Sequence, residues 1–121
     1  MPVVNFDYTS NLNIKNKVKE FLPEVHSTLV KLIQTDLHAC RSTIQEHQDY
    51  LVGNGDANNG FMQMSIRILP GRTDEQKSIL GNNLLKKLKD IFSQEINNFN
   101  VQCRVYITEV DKPQYYGLGL D

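Results

Sequence analysis

The apolar residues of this chain change their spacing in the same order twice. Val4, Phe6 and Tyr8 alternate with Val3, Asn5 and Asp7, the period of a strand with two unlike faces. Ile14, Val18, Phe21, Leu22, Val25, Leu29, Leu32 and Ile33 then recur three and four apart, the pattern of an amphipathic helix. A weaker strand pattern follows at Arg41–His47. In the second half, Met62, Met64, Ile66 and Ile68 alternate with Gln63, Ser65 and Arg67. Ile79, Leu80, Leu84, Leu85, Leu88, Ile91, Phe92 and Ile96 return to helical spacing, and Val101, Cys103, Val105 and Ile107 close with a strand. The order is β-α-β, loop, β-α-β. Two such halves, about residues 2–50 and 61–110, predict an α+β domain spanning 1–121: one four-stranded sheet with two helices on one face.

Turn and cap chemistry sharpens these boundaries. Pro23 sits inside the first helical pattern and predicts a kink or a split. Gly53-Asn54-Gly55-Asp56-Ala57-Asn58-Asn59-Gly60 is a polar loop between the halves. It lacks the Lys-Ser/Thr of a phosphate-binding loop, and a strand follows it where that motif needs a helix. Pro70-Gly71 ends the third strand. Thr73 and Gln76 then stand at the spacing of a capping box. The outward face of the strands mixes Asn5, Asp7, Gln63, Arg67, Gln102 and Arg104, which suits either water or a partner subunit.

Composition narrows the function. Thirteen basic residues against 14 acidic ones leave no basic excess for nucleic acid. No apolar run approaches the roughly 20 residues of a membrane span, and the N-terminus lacks a signal peptide's basic and apolar regions. Cys40 and Cys103 have no metal-ligand spacing. The expectation is a cytoplasmic protein with free thiols. His26, His38 and His47 form no ligand motif, so neither a metal nor another cofactor is expected.

Pro2 carries the sharpest chemical question. If Met1 is removed, Pro2 bears a secondary amine, which serves as a general base where its surroundings lower its pKa. The structural alternative is a proline at a strand's start, where a missing N–H costs little.

Gly71-Arg72-Thr73-Asp74-Glu75-Gln76-Lys77, after an alternating strand, closely resembles the strand-to-helix junction of 4-oxalocrotonate tautomerase. Pro2 matches that superfamily's catalytic residue. The doubled length, the Cys40-Arg41-Ser42 junction and the Phe61–Arg72 stretch resemble the 5-carboxymethyl-2-hydroxymuconate isomerase family over most of residues 2–110. The resemblance implies a homotrimer with sheets inside and helices outside. It implies a cofactor-independent isomerase that turns a 2-hydroxymuconate dienol, with two or three carboxylates, into its 2-oxo isomer during aromatic catabolism. Pro2 would move the proton, and Arg41 and Arg72 would bind substrate carboxylates through their forked donors. Lining up the strands puts Met62 where Pro2 stands and Leu12 where Arg72 stands, so one site per subunit is expected.

Two other readings stay open. A ferredoxin-like ligand-binding or regulatory domain has the same element order and needs no Pro2. Another activity of the superfamily, such as tautomerisation of a phenylpyruvate, would use the same amine.

Overall fold

The computed structural model describes residues 1–119; the last two residues of the tail expected at 111–121 lie outside it. β1 (Pro2–Thr9), α1 (Lys15–Ile33) and β2 (Arg41–His47) form the first half. β3 (Asn59–Ile68), α2 (Asp74–Ile91), the short α3 (Ser93–Asn98) and β4 (Asn100–Glu109) form the second. The four strands make one sheet in the order β2-β1-β3-β4. β1 and β3 are antiparallel neighbours at its centre, and β2 and β4 each pair parallel to the central strand of their own half.

The core lies between one face of this sheet and the helices. Val4, Phe6 and Tyr8 from β1 and Met62, Met64, Ile66 and Ile68 from β3 are all fully buried. They pack on Val18, Phe21, Val25 and Leu29 of α1 and on Leu80, Leu84 and Leu88 of α2. Each such side chain contributes about 1.5–3 kcal/mol by leaving water. Phe6 is the hub, with its ring centroid 6.3 Å from Phe21 and 6.0 Å from Phe92.

Three sequence expectations are refined in detail. α1 runs through Pro23 without splitting. The proline is on the exposed side of the helix, where a carbonyl left without its N–H partner costs less than in a core. The second helical stripe is not continuous: Phe92 leaves helical geometry (φ −102°, ψ 28°) and α3 starts beyond it. The Phe92 ring is fully buried beside Phe6 and Phe21, so packing outweighs continuation of the helix. Ile79 and Leu85 belong to the stripe by spacing but are 49% and 42% exposed, outside the core.

Local chemistry at the junctions is as the sequence implies. The Gln76 backbone N–H donates to Thr73 Oγ1 (3.1 Å), and the Thr73 N–H donates to Gln76 Oε1 (2.9 Å), completing the capping box. Gly71 has φ 125°, which side-chain-bearing residues rarely adopt. Gly60 is needed for space: a Cβ there would stand 2.7 Å from Thr9 Oγ1.

The sheet face away from the helices is uncovered among the described residues. It presents Asn5, Asp7, Gln63, Ser65 and Arg67 from the central strands, with Gln102, Arg104 and Tyr106 from β4. No helix among the described residues is long and apolar enough to cross a membrane.

Candidate active site

Pro2 opens β1 and is buried, paired with Ile68 of β3. Met1 precedes it and is 8% exposed. The parallel ladder sets Val3 opposite Arg41, so Cys40 ends its connecting turn beside Pro2. On the other side, Ile68 pairs with Glu109, and the Val110 N–H donates to the Ile68 carbonyl at 2.8 Å. This end of the sheet therefore gathers the starts of β1 and β2, the ends of β3 and β4, and the loop that leads into α2.

Pro2 and Arg41 come together there, one residue apart in the ladder. Arg41 is exposed, and its side chain belongs to the uncovered face with that of Val3. No ion pair among the described residues involves it. Arg72 reaches the same end by a different route. Its Nε and Nη2 donate to the Ile33 carbonyl at 3.2 and 3.0 Å, closing the last turn of α1. The C-terminal carbonyls of a helix lack partners within the helix, so this contact has a structural value of its own.

Burial pushes the Cys40 thiol up, partly offset by the N-terminal ammonium, with Asp36 raising it further. A neutral thiol therefore lies beside the start of β1 at neutral pH. Cys40 Sγ donates to the Asp36 carbonyl at 3.5 Å. Lys77 bridges Glu109 (3.3 Å) and Asp74 (3.4 Å), fixing the start of α2 to the end of β4.

A second group of polar side chains stands at the opposite end of the sheet. The Tyr8 hydroxyl donates to Glu46 Oε2 at 2.8 Å; burial, and then this carboxylate, push the phenol up to about 12. His47 Nε2 meets Asp7 Oδ1 at 2.9 Å, and its ring lies 5.7 Å from that of Phe61. On the rim of the α1–β2 groove, His26 Nε2 meets Ser42 Oγ at 2.5 Å, and burial lowers the imidazole below its ordinary value. None of these links was legible in the strand patterns, because each joins residues from different elements.

The register relates the two ends. Pro2↔Ile68 and Tyr8↔Met62 lie symmetrically about Asn5↔Ser65. A pseudo-two-fold axis there carries Pro2 onto Met62, and Val3↔Arg41 onto Gln63↔Arg104. The repeated Cys-Arg pairs, Cys40-Arg41 and Cys103-Arg104, were the sequence signal of that symmetry. Met62 is an internal, fully buried strand residue and can supply no amine. Among the described residues no group of three or more His, Cys, Asp or Glu gathers as a metal site.

The model of a family described as 5-carboxymethyl-2-hydroxymuconate isomerase matches residues 2–117. A solved 5-carboxymethyl-2-hydroxymuconate isomerase from Deinococcus radiodurans R1 superposes with a TM-score of 0.88 at 20% identity, over 97% of this chain and 88% of that one. A 5-carboxymethyl-2-hydroxymuconate delta-isomerase superposes at 0.83 with 13% identity, over 98% and 89% of the two chains. A fused 4-OT, itself a symmetric trimer, superposes at 0.75 with 16% identity, over 98% and 93%. These superpositions share the fold. No curated protein matches the chain.

Proposed function

From the premise that the chain belongs to the 5-carboxymethyl-2-hydroxymuconate isomerase family, we propose that it isomerises a 2-hydroxymuconate-type dienol to the conjugated 2-oxo form, with Pro2 as the proton carrier. The observation that supports this most is the burial of Pro2 at the start of β1, one ladder position from an exposed, unpaired Arg41. Removal of Met1 frees the Pro2 nitrogen. Burial and the neighbouring guanidinium disfavour its protonated form, so the amine acts as base near neutral pH. It takes the proton from the enol oxygen and delivers one to carbon.

Arg41 binds a substrate carboxylate through its fork. Arg72 has five N–H donors like any arginine, and Nη1 stays available while Nε and Nη2 hold the Ile33 carbonyl. In this reading it lends those donors to a second carboxylate. The chain acts as one domain, in a homotrimer whose sheets face inward; that arrangement covers the polar face left open here. The chemistry requires no metal or organic cofactor, and the setting is cytoplasmic catabolism of aromatic compounds.

The test is a spectrophotometric dienol assay on two forms of the protein, separated by the mass of the N-terminal peptide. The form lacking Met1 should turn over the dienol, and the form keeping Met1 should not, because its Pro2 nitrogen is an amide. Equal activity of both forms would remove Pro2 from the mechanism.

A further inference from the structure

Arg41 opens an edge strand. Within the subunit β2 pairs only with β1, so its far side has no strand to hold it. The turn before it is braced by bonds within itself. The His38 N–H donates to Asp36 Oδ1 at 3.0 Å, the Ala39 N–H to the Asp36 carbonyl at 3.0 Å and the Cys40 N–H to the Leu37 carbonyl at 3.1 Å. Two side-chain bonds fix the strand just past Arg41, one on each face. On the polar face Asn5 Nδ2 donates to Thr43 Oγ1 at 2.6 Å. On the helix face Ser42 Oγ meets His26 Nε2 of α1 at 2.5 Å. Ser42 pairs with Val4, a core residue, so this bond lies on the side away from the polar sheet face. Leu22, Pro23 and Leu37 wall the groove around it. The ring accepts the hydroxyl proton when neutral and donates to the oxygen when charged, so either state keeps the link. Side chains alternate along a strand, so anchoring residue 42 to the helix layer sets the direction in which residue 41 projects.

We propose that His26 and Ser42 are positioning residues: their bond ties β2 to α1 and holds Arg41 in the orientation from which it meets a substrate carboxylate. Neither residue touches substrate or exchanges a proton with it. The proposal deepens the isomerase reading and rests on it for the role of Arg41. A loosened Arg41 has to be ordered as substrate binds, and that cost falls on affinity. The proton transfer belongs to Pro2 and does not pass through the tie. Loss of the tie therefore raises KM and leaves kcat nearly unchanged.

The test sets each tie variant against Arg41→Ala in a double-mutant cycle. In the dienol assay, Ser42→Ala and His26→Phe should each raise KM about three- to tenfold, the scale of one hydrogen bond, with kcat within about twofold. Ser42→Thr, which keeps the hydroxyl, and His26→Gln, which keeps a donor and an acceptor, should recover most of that loss. In the Arg41→Ala background the same substitutions should change KM less than about twofold, because the tie acts through Arg41. An unchanged KM in Ser42→Ala overturns the positioning role. So does the same fold-loss with and without Arg41, which is what a purely structural bond gives. Calorimetry with adipate, an aliphatic diacid, runs the same cycle without turnover. Adipate affinity that depends on the tie only when Arg41 is present, in protein that turns over no dienol, keeps the positioning role and discards the isomerase reading. Turnover that needs Pro2, with additive losses in the cycle, does the reverse.

Discussion

The two halves of the molecule share an element order and a register, and differ in the groups placed at equivalent positions. In the first half the symmetric position is a strand start, where Pro2 can become a chain terminus. In the second it is Met62, inside a continuous strand and buried under the helices. Arg41 and Arg104 also occupy equivalent places, but Arg104 turns Nη1 back on the Cys103 carbonyl at 2.8 Å. The position of Arg72 corresponds to Leu12, which is core. Duplication of a fold thus does not duplicate a site. In the proposed mechanism the amine needs a chain end, which Met62 inside β3 cannot be.

The largest expected effect breaks the halves apart chemically. Pro2→Ala should lower kcat by about 10²–10⁴-fold, the usual contribution of a general acid–base. Met62→Leu, at the symmetric position, should keep kcat within about twofold, since volume-conserving core exchanges are tolerated. A comparable loss in both would mean the symmetric ends are not chemically distinct.

The next effect concerns the end opposite Pro2. Tyr8 is raised to about 12 against an ordinary 10.0. The unfolded chain loses this proton first as pH rises. Stability is therefore complete below about pH 10 and falls between about pH 10 and 12. Two pKa units correspond to about 2–3 kcal/mol. Tyr8→Phe should flatten that alkaline decline in denaturant titrations. An identical slope would show that Tyr8 does not cause it. His26 has the opposite sign: its pKa is lowered by burial, so its part is full above about 6.5 and fades as pH falls below that value.

Smaller again is the difference between Arg41 and Arg104. Arg41→Ala should raise KM about tenfold to a hundredfold, the loss of a charge-assisted carboxylate contact of about 1.5–3 kcal/mol. Arg104→Ala should change KM less than about twofold. Equal effects would mean that a neighbouring subunit brings Arg104 to the reaction centre.

The smallest effect is structural. Thr73→Ala removes one side of the capping box and should cost about 1 kcal/mol in thermal or denaturant unfolding. α1 has no side-chain cap at Ile14 to lose, so Ile14 tests packing in its place. A neutral Thr73→Ala would show that the cap contributes nothing beyond what packing already fixes.

Most of the fold was legible because periodicity reports burial directly. The alternation at Met62–Ile68 and the Thr73–Gln76 spacing each fix an element by local physics. β2 read weakly because it is an edge strand, and its residues are half-buried or exposed throughout. The break at Phe92 was hidden because the ring belongs to the helical stripe and departs only to meet Phe6 and Phe21. Pro2 stood out by its type and place and Arg41 by the resemblance at Cys40-Arg41-Ser42, and the ladder sets the two one residue apart. The bond from Arg72 to Ile33 and the pairing of Arg67 with Val3 were not legible, because both depend on tertiary register. Alternation assigned Arg67 to the outward face without saying which residue would stand beside it.

The account stands on the Pro2 nitrogen being a low-pKa amine at a dry sheet end. A ¹⁵N NMR titration of that nitrogen, in protein lacking Met1, measures this directly. The account predicts a midpoint below the 7.7–8.0 or so of an ordinary α-amino group, coinciding with the acidic limb of the kcat/KM profile. A midpoint above that range, or one unrelated to the acidic limb, would contradict it.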